Sequence, residues 1–359
     1  MASAPPTTSP HDRREGGEWT LLQTVKNQGI YAAVRTLLLA LRPLPAAWLV
    51  PLGRRLGSGL YVLGIAHKRV ALDNLARVYP ELTLAERRDL GARVYRRLGG
   101  YLGGAVAQLL RPGRFVAVPF EAGSREVLEE ALREKRGVLF ASAHLGPWEQ
   151  LAGSLVRHGF PLTTLARESY DPRFMRLYDR LRGGAGVKAI YRGRATAALQ
   201  IVRTLRRGEL LGAPMDLRSR VPSVSAPFLG TPAASPVGPA RIALRTRAPV
   251  VVGTVVPAGS GEKLVIRVTR IVTGDLIVGA TGEVELTRRL NEEVGSRIRA
   301  FPEGWVWMHP RWQVGDPASL DGDETTAGGA ANGRGPLEDS APSVGETRYT
   351  SAALVDDLR

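Results

Sequence analysis

The sequence predicts an α/β fold: a mixed, mainly parallel sheet flanked by helices, behind an N-terminal helical region. Three observations carry that prediction. Residues 17–112 read as helical throughout, with apolar residues recurring at helical spacing through Lys68–Tyr79. From residue 113 onward, short apolar runs alternate with amphipathic stretches, the pattern of strands joined by crossover helices. Hydrophobic residues make up 44% of the 359, enough for a core that covers both faces of a sheet.

In chain order, the first sixteen residues (MASAPPTTSPHDRREG) are small and polar and are expected to be unstructured. No apolar stretch follows a basic one there, so they do not read as a secretory signal. Residues 30–66 are dense in Leu, Val, Ala and Trp with isolated arginines. That composition suits helices lying in a membrane interface, and equally a buried helix pair. No run supplies the ~20 apolar residues that a span needs. The uncharged stretch 221–240 holds five prolines, and 98–110 and 43–53 are too short. The reading is membrane attachment without spanning.

Thr83 and Glu86 form a capping-box signature for a helix running to about Leu110, which Pro112 ends. Strands are predicted at 137–144, 161–167, 187–191, 209–216, 249–256 and 264–272. Helices are predicted near 148–158, 173–182, 195–207, 237–247 and 283–301. The proline-rich segment 222–239 reads as irregular. From Gln313 the chain is acidic and poor in large apolar residues, so it is expected to be disordered. The predicted organisation is therefore 1–16 disordered, 17–112 helical, 113–312 an α/β core and 313–359 a disordered tail.

The net charge of +15 hides two opposite contributions. The tail has nine acidic and three basic residues, which leaves +21 on the rest. Such a body keeps polyanionic company: nucleic acid, an anionic membrane, or phosphorylated or acidic substrates. A nucleic-acid binder would interleave aromatic or Gly-rich platforms with the charge. Aromatics are only 6% and the arginines scatter over helices, so no nucleic-acid partner is expected. The absence of cysteine excludes disulfides, thiolate metal sites and a thiol nucleophile, and fits a reducing compartment. No resident metal or cofactor is expected.

Of five histidines, only His144 sits where an open α/β sheet puts its ligands, at the end of a strand that turns into a helix. Gly146 and Pro147 make the turn. Glu149 follows five residues after His144, and at that spacing its carboxylate is expected to fold back onto an imidazole nitrogen and fix the tautomer. With no cysteine and no G-x-S-x-G elbow, the pair favours a general base acting directly on a substrate hydroxyl. The other reading of His144 is a structural histidine.

The block GVLFASAHLGPWE resembles the H-x4-D/E motif of the lysophospholipid acyltransferase superfamily. Its Glu form is similar to the lipid A biosynthesis branch, the lauroyl/myristoyl acyltransferases. Arg69–Leu75 (RVALDNL) with Tyr79-Pro80-Glu81 resembles the segment ahead of that family's domain. Arg167, Pro172 and Arg180–Arg182 resemble its second block. Gly208-Glu209 and Pro214-Met215-Asp216 resemble its third, leading into Pro227–Ala233. Trp307–Trp312 (WMHPRW) resembles its closing motif. Coverage is roughly 30–312, with the blocks in order. The departure is Met215-Asp216-Leu217, where family members commonly carry Asp-Gln or Asp-x-Asp.

The resemblance implies a glycerol-phosphate-acyltransferase-like fold and transfer of a fatty acyl chain from acyl-carrier protein or acyl-CoA to a lipid hydroxyl. His144 would be the base, Glu149 its orienting acid and Arg167 an oxyanion donor. Between His144 and Arg220 lie fourteen Lys/Arg and six Asp/Glu. Arg192, Arg194, Arg218 and Arg220 are the candidates for contact with an anionic lipid head group, and Asp216 joins the substrate-binding set with its role open. Residues 222–239 would border the acyl-chain entrance. Trp305, Trp307 and Trp312, with His309, read either as a membrane-interface cluster or as buried. The implied location is the cytoplasmic face of a bacterial inner membrane, peripherally attached. Two other readings stand beside this one. They are the same chemistry on another acceptor (lysophospholipid, ornithine lipid or phosphatidylinositol mannoside), and a non-catalytic basic protein binding membrane or nucleic acid.

Overall fold

Residues 18–65, 67–218, 221–259 and 263–312 are described in a computed structural model. The two segments expected to be disordered, 1–16 and 313–359, lie outside the described residues, as does Arg220.

Four helices form the N-terminal region: α1 (Leu21–Leu41), α2 (Ala46–Val62), α3 (Lys68–Val78) and α4 (Leu84–Leu110). Capping boxes start two of them. Thr20 and Gln23 satisfy the first N–H groups of α1, and Thr83 and Glu86 do so for α4. No residue of α1 is buried, whereas α2 buries Leu49, Gly53, Gly57 and Tyr61 against α4. The α2–α4 contact is backbone on backbone. A Cβ on Gly53 would overlap the Gly99 carbonyl, and one on Gly103 would overlap the Leu49 carbonyl. Glycine is required there because the two helix backbones leave no room for a side chain.

The sheet has six strands: β1 (Val138–Ser142), β2 (Leu162–Ala166), β3 (Lys188–Tyr191), β4 (Leu210–Pro214), β7 (Val250–Pro257) and β8 (Leu264–Ile271). Their order is β3-β2-β4-β1-β7-β8, parallel except for the β7–β8 pair. Five of the six strands fall within the predicted segments, and β7 runs one residue past the end of its own. Flanking helices are α5 (Ser124–Arg133), α6 (Trp148–Arg157), α7 (Pro172–Gly184), α8 (Ala197–Arg206), α9 (Gly238–Thr246) and α10 (Ala280–Ala300). One core layer packs Leu128, Leu155 and Phe160 on the Phe140 and Val251 side of the sheet. The other packs Leu286, Leu290, Val294 and Ile298 of α10 on the Leu139 and Val252 side.

The segment read as irregular is a hairpin, β5 (Ser223–Phe228) and β6 (Thr231–Pro236), turning through Leu229 and Gly230, both at positive φ. Its prolines concealed it. Proline is excluded from central strands but tolerated in a two-stranded ribbon whose free edges need no donor. The hairpin is fixed by α10, where Asn291 donates to the Pro227 carbonyl (3.1 Å) and Ser235 Oγ (2.8 Å). Of the two readings of the tryptophans, burial is what the structure shows: Trp305, Trp307 and Trp312 all lie in the core. Among the described residues, no helix is long and apolar enough to cross a membrane.

The α2–α4 contact predicts opposite effects from two identical substitutions. Gly103→Ala should destabilise by about 1–3 kcal/mol, because backbone must move to admit the methyl. Gly59→Ala, on the same helix pair but with nothing near its missing Cβ, should stabilise by roughly 0.5–1 kcal/mol. Urea unfolding of the two variants beside the parent measures both; equal shifts would contradict the packing.

Candidate active site

The chemistry-bearing residues gather at the C-terminal ends of the parallel strands. β1 and β4 are neighbours with Ser142 opposite Pro214, so His144 and Asp216, each two residues further on, stand side by side. The Met215 N–H donates to the Ser142 carbonyl (3.1 Å) and keeps the two exits together. Beyond His144 the chain must turn sharply against β7. Gly146 takes φ 68°, and a Cβ there would overlap the Val255 carbonyl, so only glycine fits. The turn is also tied to the closing segment: the Gly146 N–H donates to the Gly304 carbonyl (3.0 Å), and Leu145 bridges Trp305.

His144 Nδ1 lies 2.9 Å from Asp216 Oδ1, and the His144 backbone N–H donates to Asp216 Oδ2 (2.8 Å). Asp216 Oδ2 also accepts from Trp305 Nε1 (2.7 Å). A carboxylate only accepts, so Nδ1 carries the proton and Nε2 is left with its lone pair. The His144 side chain is 26% exposed, while that of Asp216 is 0%. Trp148, the first residue of α6, meets the imidazole edge to face at 5.1 Å.

Two expectations are thereby corrected. Glu149 does not take the imidazole Nδ1. It stands in the first turn of α6, and its carboxylate is held by Arg182 of α7 through Nη2 (2.8 Å) and Nε (3.2 Å). Asp216 is not placed to touch substrate, because it is sealed behind His144 with donors on both oxygens.

Burial opposes protonation of His144. The charge and hydrogen bond of Asp216, with the Glu149 charge added and Arg182 opposing, outweigh it and raise the pKa above the usual 6.5. Burial likewise pushes Asp216 up, but the imidazole and the Trp305 and backbone donors hold it below the ordinary carboxylate value. A neutral counterpart sits next to the pair. Burial brings the His309 pKa down to about 4 against the pull of Asp216. Its Nε2 accepts from the Arg218 N–H (2.9 Å), so it pins the turn after Asp216.

The arginines fall into separate settings. Arg167 and Arg192 leave the adjacent ends of β2 and β3, and the Arg192 N–H donates to the Ala166 carbonyl (2.9 Å). Desolvation, then the Arg167 charge, lowers the Arg192 pKa. Arg194 is paired with Glu168 and exposed. Arg311 is buried against the hairpin, over the Phe228 ring at 4.6 Å and donating to Ser235 Oγ (2.8 Å). Burial lowers its pKa to about 10, with Asp216 opposing.

Sequence reasoning missed the partnership of Asp216 with His144 and of Glu149 with Arg182. It also missed the role of Asn74, whose side-chain amide donates to the carbonyls of both Trp307 and His309 (2.8 Å each). Asn74 and the closing tryptophans all lie in the motif blocks, but no spacing rule joins residues 233 positions apart. A family profile described as bacterial lipid A biosynthesis acyltransferase matches residues 18–314. A search of curated proteins finds no match.

The depressed His309 pKa carries a stability consequence. The unfolded chain binds the proton below pH 6.5 and the folded chain only near pH 4, so stability falls as pH drops across that window. His309→Gln keeps an acceptor for the Arg218 N–H and removes the titration. Its melting temperature should therefore fall less than the parent's between pH 7 and pH 4.5, and equal falls would contradict the assignment.

Proposed function

The chain belongs to the bacterial lipid A biosynthesis acyltransferase family, and on that premise we propose that it transfers a fatty acyl chain from an acyl thioester to a hydroxyl of a lipid A-type or related glycolipid. The donor thioester is carried by acyl-carrier protein or CoA. The observation that carries this reading is the imidazole of His144, held through Nδ1 by a buried carboxylate with Nε2 directed away from that bond at the sheet's C-terminal edge.

In this reading Nε2 takes the acceptor hydroxyl proton as the oxygen attacks the thioester carbonyl. The imidazolium formed is stabilised by Asp216 in contact and by Glu149 through space. Collapse of the tetrahedral intermediate breaks the C–S bond, and the imidazolium returns its proton to the leaving thiolate. Transfer is direct, since neither a cysteine nor a serine elbow is present to carry the acyl group. The Glu149–Arg182 pair braces α6 against α7 beside the imidazole. Arg167 is the candidate donor to the developing oxyanion. Arg192, Arg194, Arg218 and Arg220 are candidates for the head-group phosphates, for which guanidinium is the fitting cation.

The N-terminal helices support peripheral membrane attachment. Leu21, Leu22, Val25, Leu37 and Leu39 of α1, and Trp48, Leu56 and Val62 of α2, are all exposed. Interspersed arginines fit an interfacial helix whose cations reach anionic head groups. The cytoplasmic face of the inner membrane is the side where such thioester donors are found.

Three measurements test the reading. His144→Ala should lower kcat by about 10²–10⁴-fold, the usual worth of a general base. Because the raised His144 pKa keeps the imidazolium to higher pH, the acid limb of the rate profile should lie above pH 6.5, with activity lost as pH falls through it. Lipid mass spectrometry of cells with and without the gene should reveal one acceptor lighter by a single acyl chain. Unchanged lipids together with an active His144→Ala variant would overturn the function.

A further inference from the structure

Resting on the His144–Asp216 pair just described, the geometry points to Trp305 as a positioning residue. Its indole N–H, donating to Asp216 Oδ2, holds the carboxylate in the rotation that presents Oδ1 to the imidazole.

A carboxylate turns easily about its Cβ–Cγ bond, because that torsion is broad. Two donors restrain it here, both on Oδ2. One is the backbone N–H of His144, which belongs to the same residue as the imidazole and moves with it. The other is the indole of Trp305, which comes from the closing segment, outside the two strand exits that carry the pair. Both Trp305 and Asp216 are fully buried, so no water competes for the bond. Packing alone asks only for an apolar ring of this size. What the indole adds is a donor aimed at a buried anion.

Trp305 is itself held from several sides. It bridges Leu145, packs edge to face on Trp307 at 4.9 Å and lies against Phe228 at 5.6 Å. Trp307 is fastened by its own indole N–H to the Pro302 carbonyl (2.6 Å) and by Asn74 to its carbonyl. The titratable groups acting on His144 are Asp216 beyond β4, Glu149 of α6, Arg182 of α7 and, from the closing segment, His309. His309 and Arg311 of the closing segment face Asp216. None of them supplies the bond that Trp305 makes. Without the indole N–H, Oδ2 loses its external donor. The carboxylate becomes more basic and draws harder on the imidazolium, while its rotation is freed.

The test replaces Trp305 with benzothienylalanine, which keeps the ring shape and has sulfur in place of the N–H, and separately with phenylalanine. His144 is titrated by nitrogen NMR in the full chain, and acyl transfer is measured alongside. In the isostere the imidazole midpoint should rise by about half a unit, and kcat should fall roughly tenfold, the scale of a lost hydrogen bond to a charged group. KM for both substrates should stay within about twofold. A midpoint that stays or falls, or an unchanged kcat, overturns the role of Trp305. If Trp305→Phe fails to fold, the isostere alone decides. Asp216→Asn in the same titration separates the role of Trp305 from the His144–Asp216 pair itself. A lowered midpoint there, with the isostere unmoved, sinks the Trp305 role and leaves the pair standing. An unmoved midpoint in Asp216→Asn sinks the pair and Trp305 with it.

Discussion

The buried carboxylate of Asp216 is the constraint on which the rest of the site depends. A charge removed from water is costly unless every lone pair finds a donor, and unpaired it would protonate instead. Here three N–H groups meet it: two from His144 at the end of β1 and one from Trp305 near the end of the described chain. Satisfying one anion therefore requires β1 beside β4 and the closing segment against both. The same contacts set the electrostatics. Asp216 stays ionised, His144 is drawn towards its protonated form, and the adjacent His309 is left neutral.

That requirement explains why distant parts of the chain converge behind the sheet edge. α3 contributes Asn74, which fastens the carbonyls of Trp307 and His309. α4 contributes Arg93 and Arg97, both paired with Glu303, and Tyr79 just before it lies against Trp307 at 5.7 Å. The β5–β6 hairpin contributes Phe228, which lies against Trp305 and under the buried Arg311 guanidinium. The N-terminal region thus divides, α3 and α4 meeting the closing segment and α1 and α2 exposing apolar side chains.

Much of the fold was legible because strands buried on both faces are near-continuous apolar runs, and residues such as Val250–Pro257 cannot be mistaken for surface. The hairpin was not, since Pro222, Pro227, Pro232 and Pro236 erase the alternation that marks a strand. For the site, His144 was legible from its position between a strand and a Gly-Pro turn. Its partner was not. Glu149 is five residues away and Asp216 seventy-two, and only the crossover that sets β1 beside β4 reverses their distances to the imidazole. Local spacing reports which groups can meet within one turn, whereas sheet order is decided by the packing of every helix at once.

In the proposed mechanism the Asp216 carboxylate makes His144 a base by fixing its Nδ1 proton. The most direct measurement is the turnover of Asp216→Asn with purified protein, a defined acyl thioester and acceptor lipid, in a variant shown by circular dichroism to keep its fold. The amide is nearly isosteric with the carboxylate but removes the charge that holds and stabilises the imidazolium. Its kcat should fall roughly 10²–10⁴-fold, comparable to removing His144 itself. A folded Asp216→Asn variant turning over within a few-fold of the parent would contradict the mechanism.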